Sequence, residues 1–449
     1  MIPGLFRCFA ASLIFAPVAA VLAAEPAAMV RLSAGIAKAD ITPDPRMFNW
    51  TVPNSPPYGA VHDPLFARVL VLSDGDVRIA LVVWDLLDAR EFAVARLRTA
   101  ITRATGIPED RIIVSATHNH SGPKSELGPG PELAREERTS RPAQNGPAYR
   151  EWADRLVQTC VGLVQRAAAS AQPVELWIAR AHVGEWLFNR RPIRPDQSVV
   201  SMLHPRDPHA LGDGLRFGVV DPTMTVLSLR TPGGKGVGTL FHLSMHAVAV
   251  YGAYKGISAD WPGRVAELLH ERLGHESLFL QGCAGDIVPA RRGFEAVEAM
   301  SALIAGRAIG AEKVAAKIVP GKIRVGRARL SLPALPFAAR ALGRASLEAE
   351  ITVVTTGPLA LVTLPGEPLQ ELGTAIQNRS PFPHTVVLGY ANGRGVGYVG
   401  LPGAKARGGY EMTEVGAGTD EAGGFLVETA LRLLRDQAAS ARGLESADP

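Results

Sequence analysis

His118 and His120 stand one residue apart in VSATHNHSGP (114–123), at the end of an apolar run that reads as a buried strand. Residues two apart in an extended chain point to the same side, and imidazole is a frequent ligand of divalent metals. Taken alone, that spacing also suits a chance pair of surface histidines. Other apolar runs end in the same way. IALVVWD ends at Asp85, TLFHLSMH at His246, SLFLQGCAGD at Asp286 and LALVTLPGE at Glu367, and TVVLGYANGRGVGY leads to Tyr398. Imidazoles and a carboxylate form a borderline-to-hard donor set that holds zinc and leaves room for water. Several members keep a plainer reading. Glu367 suits the N-terminus of the following helix, and Asp286 suits a turn. His242 precedes His246 by four residues but lacks the glutamate of a zinc-protease helix, so it reads as a packing or surface residue. Asp260 reads as a helix cap rather than a ligand.

These side chains need a scaffold that brings strand ends together. Strand-length apolar runs alternate with amphipathic helices, the pattern of an α/β domain. Ligands in open α/β sheets bind beyond the carboxyl ends of the strands, where these residues fall. The expected architecture is a mixed sheet core flanked by helices, with antiparallel strands added from 322–364 and the metal site at the strand C-terminal ends. SADWPGRVAELLHERLG predicts a helix with Val265, Leu268, Leu269 and Leu273 on one face, and a second helix is expected over 148–169. Residues 124–146, rich in Pro, Gly and charge, read as a long loop, either a lid or a solvated insertion.

Composition bounds the class. The chain has 449 residues, 47% of them hydrophobic, which suits a globular protein. Residues 1–24 resemble a secretory signal: Arg7 supplies the positive region, an apolar stretch follows, and Ala23 or Ala24 offers a cleavage point. A buried N-terminal helix or a membrane anchor is the alternative. Cys8 lacks a lipobox-like context. The expectation is a periplasmic or secreted protein with one catalytic domain over 25–449 and no transmembrane anchor after cleavage. Cys160 and Cys283 would then remain, as free thiols or as one disulfide. The formal charge is +4 with both signs interspersed apart from short arginine clusters such as RRPIR (190–194), which is no nucleic-acid footprint. A small-molecule substrate is expected instead.

At these motifs the chain resembles the neutral/alkaline non-lysosomal ceramidase family, in its N-terminal catalytic domain. The matching stretches are AGIAKADITP, HDPLFARVLVL, THNHSGP, HAVAVYGAYKGISADWPG, LPGE and the region from GYANGRGVGYVG to GGYE. The resemblance implies zinc ligands at His118, His246, Glu367 and Tyr398. It places His120 beside the metal as a proton-transfer or orienting group and Tyr410 in the pocket. FNRRP resembles an Asn-Arg motif whose arginine holds substrate, which implies Arg190, with Arg191 as the adjacent competitor. Asp286 and Asp85 would orient histidine N–H groups. The implied reaction is hydrolysis of an amide, N-acyl or related bond by metal-activated water, and the implied substrate includes N-acyl lipids. Two departures bear on ceramide. Val288 in GDIVPA stands where the family carries a serine, and no stretch matches the family's C-terminal β-sandwich. The alternatives are a metalloenzyme for another small substrate, by ester or glycoside cleavage or lyase chemistry, and a non-catalytic periplasmic binding protein.

Overall fold

The computed structural model describes Met1 and residues 30–44, 60–125, 147–203, 214–252 and 254–445. The signal-like segment after Met1, with Arg7 and Cys8, lies outside the described residues, as does the 126–146 part of the long loop.

The central sheet is built from β1 (Leu32–Asp40), β2 (Phe66–Ser73), β3 (Arg78–Trp84), β4 (Ile112–Ala116), β5 (Gln172–His182), β6 (Thr223–Arg230), β7 (Gly236–Leu243) and β8 (Ser277–Gln281). Their spatial order is β4-β3-β2-β1-β5-β6-β7-β8, with a short strand, Ala316–Ile318, also pairing with β5. The two outermost pairs, β3/β4 and β7/β8, are parallel, and the pairs between them are antiparallel. Strands such as β4 are buried along their whole length, which explains their unbroken apolar runs.

One face of this sheet is covered by helices α1 (Glu91–Thr105), α2 (Pro147–Ala169), α3 (Asp260–Leu273) and α4 (Phe294–Lys313). Val69, Val82 and Val114 of the sheet pack against Leu97 of α1 and Leu156 of α2. Val226 and Phe241 pack against Trp261 and Leu269 of α3 and Ile304 of α4. The expected apolar face of α3 is therefore the buried one, and Gly274 (φ 71°) ends the helix in a left-handed turn that a side chain would strain. Asp260 opens it: Oδ1 accepts the N–H of Trp261 (2.7 Å) and Oδ2 that of Val250 (3.0 Å).

The antiparallel strands expected from 322–364 form a sheet of their own instead of extending the first. β9 (Arg324–Pro333), β10 (Ser346–Thr356) and β11 (Leu359–Thr363) are antiparallel, and β12 (His384–Leu388) joins β11 in parallel. This second sheet packs on the open face of the first through Val354, Val386 and Leu388 against Leu81, Ile113 and Leu240. Between Val354 and Val386 in sequence lies α6 (Gln370–Arg379), preceded by α5 (Pro336–Leu342) and followed by the C-terminal α7 (Ala422–Glu445). α6 and α7 cover the outer face through Leu372, Ile376, Leu426 and Leu434. The result is two sheets face to face between helical layers. Burial alone makes this core costly to disturb: truncating Trp84 or Trp261, both fully buried, should cost about 3–5 kcal/mol. Cys160 and Cys283 are buried free thiols in different core clusters. Among the described residues no helix is long and apolar enough to cross a membrane.

Candidate metal centre

The segments that leave the strand ends are laced to one another. Thr117 N donates to Trp84 O (3.1 Å), Asn119 bridges Ala247, and His120 N donates to Ala247 O (3.2 Å). The fully buried Gln281 ties the ends of β4 and β7 together, donating through Nε2 to Thr117 O (3.1 Å) and Met245 O (2.9 Å). Trp261 Nε1 donates to His246 O (3.0 Å). Glu367 and Tyr398 are direct partners in a short parallel pair, Glu367–Pro368 with Tyr398–Val399. Gly366, just before Glu367, has φ 72°, and a Cβ there would lie 2.4 Å from Gly397 O. That turn needs glycine. His118 itself sits at φ 61°, a left-handed conformation costing about 1–3 kcal/mol for a residue with a side chain. The surrounding bonds over-determine it.

Three imidazoles meet here. The ligand atoms of His118, His120 and His246 lie within 4.8 Å of one another. Glu367 Oε2 is 3.1 Å from His118 Nε2 and 3.6 Å from His246 Nε2, and His120 Nε2 is 3.0 Å from His118 Nε2. The other nitrogens fix the tautomers. His118 Nδ1 contacts Leu87 O (2.7 Å), and His246 Nδ1 contacts Ala284 O (2.5 Å). A carbonyl only accepts, so both Nδ1 atoms carry the proton. Both Nε2 lone pairs then face a carboxylate oxygen. His246 Nε2 and Glu367 Oε2 are buried without a hydrogen-bond partner. A proton on His118 Nε2 would serve a single neighbour; a divalent ion would serve all of them. The donor set fits a metal of the zinc type.

The protonation states agree. Burial and the charge of Arg190 push His246 down to about 3. Burial, with His118 and His246 crowded against it, holds His120 well below its usual range. Burial opposes ionisation of Glu367, but its place beside His118 and His246, with Arg394 nearby, holds it well below the ordinary carboxylate range.

Tyr398 reaches the site beside Arg190, whose Nη2 donates to the Tyr398 hydroxyl (2.9 Å) and to Gly285 O (2.8 Å). Burial raises the Tyr398 phenol well above its usual range. Of the two neighbouring arginines, Arg190 is the one turned toward this tyrosine. Arg191 turns away to Gly408 O (2.9 Å). Tyr410 is half-buried, its ring 6.0 Å from that of Tyr398.

Asp85 and Asp286 do not orient the histidines. Backbone carbonyls do that, and both carboxylates are engaged elsewhere. Asp85 Oδ2 accepts from Phe66 N and Arg68 Nη1, each at 2.9 Å. Asp286 accepts from Asn189 Nδ2 (2.9 Å) and from Gln370 N (2.8 Å) at the start of α6; burial raises it to about 6. His242 is buried and bonded to Val387 O (2.9 Å). Val288 is fully buried and packs with Phe188, Met202 and Val248.

Three further residues at the centre carry no separate signal in the sequence. Glu411 is fully buried between Arg190 and Arg191. Tyr390 lays its ring 4.2 Å from that of His118. Arg394 comes within 3.9 Å of Glu367 Oε1. The first stands next to Tyr410 in GGYE, and the other two lie in the glycine-rich stretch before Tyr398. That proximity is the signal that could have found them.

Comparison with solved structures reaches the same fold. The chain matches the neutral ceramidase from Pseudomonas aeruginosa with a TM-score of 0.69 at 19% identity, over 90% of this chain and 74% of that one. It matches a ceramidase complexed with C2 with a TM-score of 0.70 at 18% identity, over 91% and 76%. No family model and no curated protein sequence matches it. The chain has the ceramidase fold, a mixed α/β architecture with its histidine cluster beyond the strand ends.

Proposed function

We propose that the chain is a zinc-dependent hydrolase of an amide, N-acyl or related bond, with His118, His246, Glu367 and Tyr398 holding the metal. The observation that carries this reading is the pair of buried acceptors, His246 Nε2 and Glu367 Oε2, 3.6 Å apart and without a hydrogen-bond partner, beside His118 Nε2 at 3.1 Å from the same carboxylate oxygen. Zinc bound there would act as a Lewis acid and lower the pKa of water to about 7.

The remaining roles belong to the chain. Leu87 and Ala284 carbonyls fix the ring orientations of His118 and His246. His120, 3.0 Å from His118, stands where a group beside the metal would move protons. Arg190 and Tyr410 hold the substrate and stabilise negative charge developing on its oxygen, an effect for which loss of one donor costs about 10²–10³ in turnover. Glu411 fixes Arg190. Asp85 and Asp286 shape the strand ends without touching the rings. Val288 offers no hydroxyl, which favours a substrate other than ceramide and keeps open ester, glycoside or lyase chemistry at the same centre. Residues 1–24 as an export signal and 25–449 as one catalytic domain, working in the periplasm or outside the cell, complete the proposal.

The test pairs metal analysis with a substrate panel of N-acyl sphingoids, acyl-amino acids, esters and glycosides. Stoichiometric zinc and turnover of an N-acyl substrate, both lost in His118→Ala, are expected. Zinc binding that survives in His118→Ala would overturn the metal assignment. Zinc without turnover of any compound would favour a binding protein.

A further inference from the structure

Arg394 differs from the other arginines around the centre. Arg190 and Arg191 are buried and bonded to Glu411 at 2.7 Å each, and Arg90 Nε is bonded to Asp88 Oδ2 at 2.9 Å. The Arg394 side chain is 37% exposed, and its two ion pairs are long: Nε to Asp88 Oδ2 at 3.8 Å and Nη2 to Glu367 Oε1 at 3.9 Å. Neither is a hydrogen bond. Asp88 is already satisfied by Arg90 and by Ser125 N and Oγ, both at 2.9 Å. Glu367 gives its other oxygen to the imidazole cluster.

The backbone under this side chain is nonetheless tightly fixed. The Glu91 carboxylate accepts Arg394 N (2.8 Å) and Gly395 N. A Cβ at Gly393 or Gly395 would meet Glu91 Oε1 at 3.0 or 2.9 Å. Asn392, at φ 59°, accepts Val114 N through Oδ1 (2.9 Å). The fold holds a cation in place beside Glu367 and leaves its planar donor edge without a bonded acceptor. A buried apolar cluster adjoins His120. The Tyr251 ring lies 5.1 Å from His120 and packs with Phe188, Met202, Val248 and Val288.

We propose that Arg394 is a specificity-determining residue that receives a carboxylate on the substrate, so that the chain acts on N-acyl amino acids rather than on neutral N-acyl lipids. This rests on the hydrolase reading above. A guanidinium pairs with a carboxylate through two parallel N–H bonds, and a divalent ion nearby adds to the positive field. The substrate carboxylate faces Arg394, beside the metal position.

The test uses the zinc-loaded full chain with two ligands that differ only in charge, N-dodecanoylglycine and N-dodecanoylglycinamide. Binding is measured by calorimetry, hydrolysis by kcat and KM. The acid should be preferred by roughly tenfold or more. Arg394→Gln should remove most of that preference through KM, and Arg394→Lys should restore part of it. Equal handling of the two ligands by the wild type, or equal loss for both in Arg394→Gln with zinc lost as well, would overturn the proposal and assign Arg394 to holding Glu367. Charge-selective binding without hydrolysis would uphold Arg394 and sink the hydrolase reading. Hydrolysis without charge selection would do the reverse.

Discussion

Glu411 accepts Nε of Arg190 on one carboxylate oxygen at 2.7 Å, with none of its side chain exposed, while its second oxygen takes Nη1 of Arg191 at the same distance. Buried charges on both sides make this contact one-directional in its energetics. The intact group contributes little net stability, but removal of the anion leaves two guanidiniums facing each other without solvent. Glu411→Gln should therefore lose about 3–5 kcal/mol of folding free energy, read from urea unfolding. Loss within experimental error would mean that solvent reaches the arginines in solution.

Zinc should stabilise the folded chain, because the lone pairs of His118, His246 and Glu367 converge only in the folded state. Ligand at a hundred times its dissociation constant adds about 2.7 kcal/mol. Stripping the protein with a chelator should lower Tm, and adding zinc back should restore it. In Glu367→Gln the metal-dependent rise should shrink strongly. An identical rise in wild type and variant would place the metal elsewhere.

The candidate ligands His118, His246 and Glu367 were legible in the sequence because each closes an apolar run, and strands of a sheet end on a common edge. Tyr398 was legible only through family resemblance; it lies beyond the last run, and its place depends on the short pairing with Glu367. Asp85 and Asp286 show the limit of this kind of reading. A carboxylate after a strand can face an imidazole or a backbone amide, and here Phe66 N and Gln370 N took it. The 322–364 strands were legible as strands, but hydrophobic pattern does not say which sheet a strand joins. Glu411 was not legible, since its partner Arg190 lies 221 residues away in the chain.

Asp88 sets an acid limb of stability. Burial works against its charge, but Arg90, Arg394 and the Ser125 N–H bring it down from the ordinary 3.8 to about 2. A depressed carboxylate stabilises the fold above its unfolded pKa, and that contribution fades as pH falls from about 4 through about 2. Its size is on the order of 2 kcal/mol. Asp260 and Asp286, both raised to about 6, run the other way, so the informative quantity is the difference between wild type and Asp88→Asn. The variant should be less stable near neutrality, and the gap in urea midpoints should close on acidification. A gap that stays constant with pH would show that Asp88 does not titrate in this range.

A serine at 288, the residue that the resemblance to ceramidases implies for this position, should harm the fold. Val288 has no exposed surface, and it lies in Ile287–Pro289 paired to Leu187–Asn189 beside Phe188, Met202 and Val248. A hydroxyl there loses methyl packing and is taken out of water among apolar neighbours. Without a partner such a group costs about 1–3 kcal/mol on mutational scales. Val288→Ser should therefore be less stable by about 1–3 kcal/mol in urea unfolding, and should not gain ceramide hydrolysis. A variant as stable as wild type that cleaves ceramide would show that this position faces the substrate and that only the missing hydroxyl separates the chain from ceramide.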